Sequence, residues 1–541
     1  MSLTGQPIII LKEGTERTRG RDALRNNIQA AKVIGEAVRS ALGPRGMDKM
    51  LVDSFGDVVI TNDGATILKE IDVQHPGAKF IIDLAKTQDQ EVGDGTTSVV
   101  VVASELLKKA ETLIDLDVHP SIIVEGYRLA MNHALDLLQE VAIDVAVEDK
   151  DTLLNIAKTS MSSKIISIES DKISHLIVDA ALGVYKNDKV DIDDISIVKK
   201  QGESVGESQL VKGLILDKEV VHSDMPKFLA DAKVLLLNIA LETTKTEFDS
   251  KLNISSADQI QQFLDREHSA LKEMADKVIA TGATAVFCQK GIDDSVQHHL
   301  AKAGILAVRR VKKSDMEKLA KCTGAAVVSN LNDLSAKDTG VAGKITQKKV
   351  ADDDLVFVEE TPKQEALTIL IRGGTDFVMD EYERSIHDAL CVVRNILEDK
   401  KLVAGGGAPE LYIANKLRTF KLDKSAKIQL AIDAFADAIE IIPRTLAENA
   451  GLDPIEMVGS LNNAYDEGKF NFGISPDDSN IADMKELGVM EPLRVKTQAI
   501  QSAAEAASIL LRIDDVVSAK DLGGAGPGAG GMPPGGMGED Y

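Results

Sequence analysis

Apolar residues between positions 22 and 42 recur at the three- and four-residue spacing of a helix with one buried face. The run meets Gly43-Pro44, where glycine suits a left-handed cap and proline cannot continue the helix, so the pattern predicts a long helix that stops there. Residues 49–60 read KMLVDSFGDVVI and predict two short strands around the turn Ser54-Phe55-Gly56-Asp57. Helical spacing resumes at about 77–90, 96–115 and 119–140. The first third of the chain is therefore expected to consist mainly of long helices.

The middle third changes period. Ala232 to Ile239, AKVLLLNI, is a continuous apolar run of the kind that fills a buried strand. Further strands are predicted at Ala285 to Cys288, Ile305 to Val311 and Ala325 to Val328, with helices near 293–303 and from Ser314 between them. Strands alternating with helices at this interval indicate a layered α/β unit. Ahead of it, Ile260, Phe263, Leu264, Leu271, Met274 and Val278 form an amphipathic stripe, for which packing on a core is the default expectation. Helical patterns return at about 408–458 and from Thr497 to Leu511. The closing GGAGPGAGGMPPGGMGEDY cannot bury enough surface to offset its ordering entropy and is expected to be disordered.

Composition narrows the field. At 541 residues the chain exceeds one compact core and requires several domains. Aromatics are only 3% and the formal net charge is −24, which disfavours a base-stacking or phosphate-backbone surface and hence a nucleic-acid partner. Cys288, Cys322 and Cys391 share no metal-ligand spacing and read as free buried thiols of a reducing compartment. The N-terminal MSLTGQPIIILKEG lacks the layout of a signal peptide, and no apolar stretch is long enough to span a bilayer. A cytoplasmic protein with no membrane partner is expected.

The candidate chemistry lies in glycine-rich turns at both ends of the chain. Gly93-Asp94-Gly95-Thr96-Thr97-Ser98 places a carboxylate between glycines and three hydroxyls at the start of a helix. Unpaired N–H groups at a helix N-terminus favour phosphate oxygens, and a carboxylate beside phosphates requires a cation between them. Leu42-Gly43-Pro44-Arg45-Gly46, Asn62-Asp63-Gly64-Ala65-Thr66, Arg372-Gly373-Gly374-Thr375 and Val403 to Glu410 (VAGGGAPE) are turns of similar chemistry. Of these, Arg372-Gly373-Gly374-Thr375 precedes a helix that carries Arg384, Asp388 and Cys391 on one face. By contrast, Gly340 to Lys344 (GVAGK) is followed by Ile345, so the phosphate-loop frame GxxxxGK[ST] is absent.

Taken in order, these segments closely resemble the chaperonins, and specifically the group II branch of archaeal thermosomes and the eukaryotic cytosolic ring complex. The resemblance runs from about residue 8 to 520 and rests on ALGPRGMDKMLVDSFGDVVITNDGATIL, QEVGDGTTSVVVVASELL, DKEVVHSDMPK, FCQKGIDDSVQHHLAKAGILAVRRVKKSDMEKLAK, RGGT, VAGGGAPE and GVMEPLRVKTQAI. The Gly/Met-rich tail is closer to the archaeal members. The resemblance implies a multidomain α and α/β chain with the chaperonin fold. Its all-helical equatorial domain would comprise 1–147 and 405–522, its small α/β intermediate domain 148–216 and 370–404, and its α/β apical domain 217–369. A helical protrusion at about 242–276 would serve as a lid, and 523–541 would be a disordered tail.

The resemblance also implies roles. Asp94 would be the Mg²⁺ ligand, with Gly95, Thr96, Thr97 and Ser98 cradling the phosphates of ATP. Leu42, Gly43 and Pro44 would line the nucleotide pocket, Gly406 would pack against ribose or base, and Glu491 would hold ribose hydroxyls. Asp388 would activate the attacking water, with Asp63 as its partner across the γ-phosphate. Lys164 falls in the loop of the family's nucleotide-sensing lysine, although Ser163 stands where glycine is common. ISPDDSN, after Phe472-Gly473, departs from the family pattern and receives no adenine contact.

The expected function is thus ATP-dependent folding of unfolded protein clients within a double ring of same-family subunits, with ATP and Mg²⁺ as cofactors and K⁺ as an optional companion. A soluble small-molecule kinase or phosphotransferase, monomeric or dimeric, is the disfavoured alternative. A ring scaffold with a degenerate ATPase is a third, opposed by the intact set of Asp63, Asp94 and Asp388.

Overall fold

The computed structural model describes residues 15–52, 56–202, 204–242, 257–363, 366–421, 425–477 and 480–519. Three large hydrophobic cores organise the described residues, and a small fourth cluster around Val211, Leu355 and Leu370 joins two of them.

The first core is helical and draws on both ends of the chain. Helices Arg21–Arg39, Pro76–Val92, Thr96–Asp115 and Pro120–Glu140 pack with Ala408–Thr419, Ala426–Ile439, Pro454–Asp466 and Leu493–Leu511. Thr96–Asp115 lies at the centre, with every residue from Val99 to Leu107 buried. Its Val99-Val100-Val101-Val102 run has modest helix propensity, so burial on all sides decides its conformation. Close crossing is secured at Gly35, where a Cβ would lie 2.1 Å from Ser104 Oγ on the central helix. The first helix ends at Arg39, short of Gly43-Pro44, where the Ser40 carbonyl accepts from Met47 N–H and the Leu42 carbonyl from Asn449 Nδ2. Strands Lys49–Val52 and Val58–Thr61 pair as the sequence suggests. Thr15–Arg19 pairs antiparallel with Asp515–Ala519, so the first and last described segments meet, and "all-helical" holds for the core of this body and not for its periphery.

The second core surrounds a mixed sheet. Leu306–Val308, Ala285–Cys288 and Phe228–Leu237 run parallel, and Gly340–Val350, Asp353–Glu359 and Gly213–Leu216 continue the sheet antiparallel. The GVAGK segment therefore begins a strand and has no helix behind it, as its missing Ser or Thr suggested. Of the amphipathic stripe, Leu271 and Val278 on helix Ala257–Ala280 are buried in this core and Met274 packs against it. The side chains of Ile260, Phe263 and Leu264 lie outside the described residues, as do 243–256 of the expected protrusion and the whole C-terminal tail.

Between these bodies lies the third core. Strand Leu367–Gly373 runs parallel to Ile195–Gln201 and antiparallel to Gln209–Val211, covered by helices Lys150–Met161, Ser170–Val184 and Asp376–Asp399. Lys401–Ala404 then pairs with both Met490–Pro492 and Ile143–Asp144, which stitches the outgoing and returning chain together.

Candidate active site

The loop between helices Pro76–Val92 and Thr96–Asp115 is held in a shape that side chains would obstruct. Gly93 and Gly95 have φ of +71° and +76°. A Cβ on Gly93 would lie 2.2 Å from Cys391 Cβ, and one on Gly95 would lie 2.9 Å from Val495 Cγ1. Both positions therefore require glycine. Between them, Asp94 Oδ1 accepts the Gly95 N–H at 2.6 Å, and Gln88 Nε2 donates to the Asp94 carbonyl at 2.9 Å. Burial pushes the Asp94 carboxyl above its ordinary range, opposed by Lys164.

Asp63 is tied to the same loop. As N-cap of helix Gly64–Glu70 it accepts the Thr66 N–H at 2.8 Å, and its other oxygen accepts the Thr96 hydroxyl at 3.0 Å. Gly64 brings this helix start against Thr97, whose backbone nitrogen would lie 2.7 Å from a Cβ on Gly64.

From the middle body comes a buried ion pair. Asp388 projects from helix Asp376–Asp399, and Lys164 Nζ donates to its Oδ2. Asn62 Nδ2 donates to the Ser163 carbonyl and so anchors the lysine loop beside Asp63. Burial alone would push Asp388 up, but Lys164 and His387 outweigh it and hold this carboxyl below the usual carboxylate range. For Lys164 burial acts downward and is overcome by Asp388, Asp63 and Asp94, so the lysine stays charged. Helix Asp376–Asp399 is fixed to the end of Pro76–Val92 by Asn395 Nδ2 and Arg394 Nη2, which donate to the carbonyls of Val92 and Glu91 at 2.9 Å each.

A second group of residues faces a small cleft beside the loop, lined among others by Gly95, Ser98, Glu410, Glu491 and Lys496. Strand pairing sets Val403 opposite Glu491, and Gly405 follows beside it, where a Cβ would lie 3.3 Å from Glu491 Oε1. Gly406, at φ +63°, accepts the Ile474 N–H at 3.0 Å, and Gly407 abuts Pro443. Leu42 and Gly43 are not among the residues lining this cleft: the Leu42 carbonyl accepts from Asn449 Nδ2 at 2.8 Å, and a Cβ on Gly43 would lie 2.3 Å from Leu446 Cδ2. Pro44 is exposed, and none of the described contacts ties it to the cleft.

The structure thus gathers Asp63, Asp94, Thr96, Lys164 and Asp388 in one cluster. It places Gly95, Ser98 and Glu491 on the adjoining cleft, with Thr97 buried beneath. Sequence reasoning did not single out Gln88, Asp89, Glu410 or Lys496. Asp89 carried a signal: a carboxylate in the last turn of a helix opposes the helix dipole. Burial, with Asp388 and Asp63 nearby, pushes it up to about 6. Among the described residues no three His, Cys, Asp or Glu side chains converge on a metal position.

Residues 34–521 match the model of the TCP-1/cpn60 chaperonin family. The chain belongs to that family. It is 54% identical over 538 residues to the thermosome subunit beta of Archaeoglobus fulgidus, covering 98% of this chain and 99% of that relative. Similarity is comparable to the thermosome subunit of Pyrococcus horikoshii, 54% over 524 residues and 96% and 95% of the two chains. The thermosome subunit beta of Methanothermobacter thermautotrophicus is 52% identical over 535 residues, 98% and 99% of the two. This places the chain in the group II branch, as an ATP-dependent chaperonin subunit. Family membership implies nucleotide use and assembly with like subunits. No described helix is long and apolar enough to cross a membrane.

Proposed function

We propose that the cluster is a split ATPase site that couples nucleotide hydrolysis to enclosure of unfolded polypeptide. One observation carries the reading: Lys164 and Asp388, on the middle body, meet the Asp94 loop and Asp63 of the helical body. ATP would lie with its phosphates along Gly95 to Ser98 and its ribose near Gly406 and Glu491, with Leu42, Gly43 and Pro44 bordering the pocket. Asp94 is the carboxylate suited to hold Mg²⁺, which when bound neutralises phosphate charge. Asp388, kept ionised by Lys164, accepts a proton from the attacking water, and Asp63 orients that water from the other side. Since phosphoryl transfer needs positioning more than covalent chemistry, moving Asp388 with its body is enough to switch the site on or off.

On this reading the three cores correspond to equatorial (1–147, 405–522), intermediate (148–216, 370–404) and apical (217–369) domains. Subunits stack in a double ring in the cytoplasm. Non-native protein is captured through exposed apolar surface, and a lid built from the segment at about 242–276 closes over it. Leu271 supports that role by rooting the described part of the segment in the sheet core.

Refolding of a chemically denatured, unrelated enzyme tests the proposal. ATP should raise the yield with the assembled wild-type particle, whereas Asp388→Ala should still hold the client but fail to release it folded. Equal yields from the two proteins would contradict the reading.

A further inference from the structure

Lys496 lies between two carboxylates. From helix Leu493–Leu511 its ammonium reaches Glu410 Oε1 at 2.8 Å and Glu491 Oε2 at 2.7 Å. The Lys496 and Glu410 side chains are only 8% and 5% exposed, whereas Glu491 keeps 27% and lines the cleft. A buried lysine–carboxylate pair is seldom favoured for stability over an apolar pair of equal volume, so its presence beside the cleft calls for another reason. Lys496 holds one Glu491 oxygen, and the other stands over Gly405, 3.3 Å from where a Cβ would lie, so glycine leaves room for it. Glu410 Oε2 is buried and finds no hydrogen-bond partner among the described residues.

Two carboxylates around one ammonium leave this wall with a net negative charge and free acceptor oxygens. Such a wall repels phosphate and takes hydroxyl donors. We propose that Lys496, with Glu410 as its buried counter-charge, is a positioning residue that aims Glu491 into the cleft to accept hydrogen bonds from the ribose of the nucleotide. The inference rests on the ATP-site reading above and extends it to what selects the sugar. Burial pushes the Glu491 carboxyl up, Lys496 pulls it back and Glu410 adds to the upward push. Without the ammonium, Glu491 would lose both its aim and part of its acceptor character.

The test compares KM and kcat for ATP, 2′-deoxyATP and 3′-deoxyATP, using the assembled full-length protein and its Glu491→Gln, Lys496→Gln and Glu410→Leu/Lys496→Met variants. Wild type should favour ATP over at least one deoxy analogue by about tenfold or more, the effect of one charge-assisted hydrogen bond. Lys496→Gln should raise KM for ATP by about tenfold, leave kcat within about threefold, and bring the ATP-to-deoxyATP ratio close to one. The double variant removes both buried charges together, so it assembles without an uncompensated ion, and it should lose the same discrimination. A purely structural role would lower the melting temperature of Lys496→Gln and leave the ratio intact. Retention of the ratio in either assembled Lys496 variant overturns the proposal. If Glu491→Gln itself retains the ratio, or wild type turns over no ATP, the site reading fails instead.

Discussion

Lys164 and Asp388 are 224 residues apart in sequence and form one buried ion pair. Their field also reaches Asp63, Asp89 and Asp94, so four carboxylates share a single lysine at the junction of two bodies. That excess of negative charge suits a site built to receive a divalent cation with its nucleotide. It also makes the lysine the main local counterweight, and several outcomes follow from changing it or its neighbours.

Lys164→Met should destabilise the junction by about 3–5 kcal/mol, because it leaves Asp388 buried without its cation. It should also move the acid limb of the ATPase pH profile upward. The sign follows from the pair: Asp388 is held below the usual range by Lys164 acting against burial, so removing the lysine lets burial raise it. In wild type the stability from Asp388 is present above the ordinary carboxylate value and is lost as pH falls through its depressed folded value. Steady-state rates between pH 5 and 9, with melting curves at each pH, check both parts.

Asp89→Asn should act in the opposite sense on stability. A carboxyl raised to about 6 in the folded state favours folding below its ordinary value, and that contribution is lost as pH rises through about 6. At pH 8 the variant should gain on the order of 1 kcal/mol, a figure reduced for the carboxyl's partial exposure, and at pH 4 almost nothing. Equal melting temperatures for variant and wild type at pH 8 would contradict this.

Gly95→Ala tests the loop geometry. With φ at +76° and a Cβ 2.9 Å from Val495 Cγ1 and 3.2 Å from Gln88 Nε2, the substitution should cost about 1–3 kcal/mol. Nucleotide affinity should fall more than tenfold because Gln88 also holds the Asp94 carbonyl. Equilibrium binding of a fluorescent ATP analogue, alongside thermal melts, measures both.

Much of this was legible in the chain. The breaks at Gly93 and Gly95, the Asp63 cap and the Asp388 helix are local features, and turn chemistry announces them in a single sequence. The hairpin of Gly340–Val350 with Asp353–Glu359 was not foreseen, because its Lys- and Gln-rich alternation is weak and the two residues between the strands, Ala351-Asp352, include neither glycine nor proline. Lys164 could be named from resemblance, but its partner could not be derived from the chain, since only tertiary packing brings a loop and a distant helix face together. Lys496 and Glu410 were silent for the same reason: each is one charged residue on an otherwise apolar helix face.

Asp94→Asn should raise the Mg²⁺ concentration needed for half-maximal ATP turnover by about tenfold or more, with little change in thermal stability measured without nucleotide. Titration of turnover against Mg²⁺ at fixed ATP reads this directly. An unchanged midpoint would remove Asp94 from the metal site.

Single-turnover hydrolysis of bound ATP by Asp388→Asn tests the split site most directly. With nucleotide binding measured in the same samples, affinity should stay within a few-fold of wild type while the cleavage rate falls by about 10²–10⁴-fold. Cleavage within threefold of the wild-type rate would show that the middle body does not supply the general base.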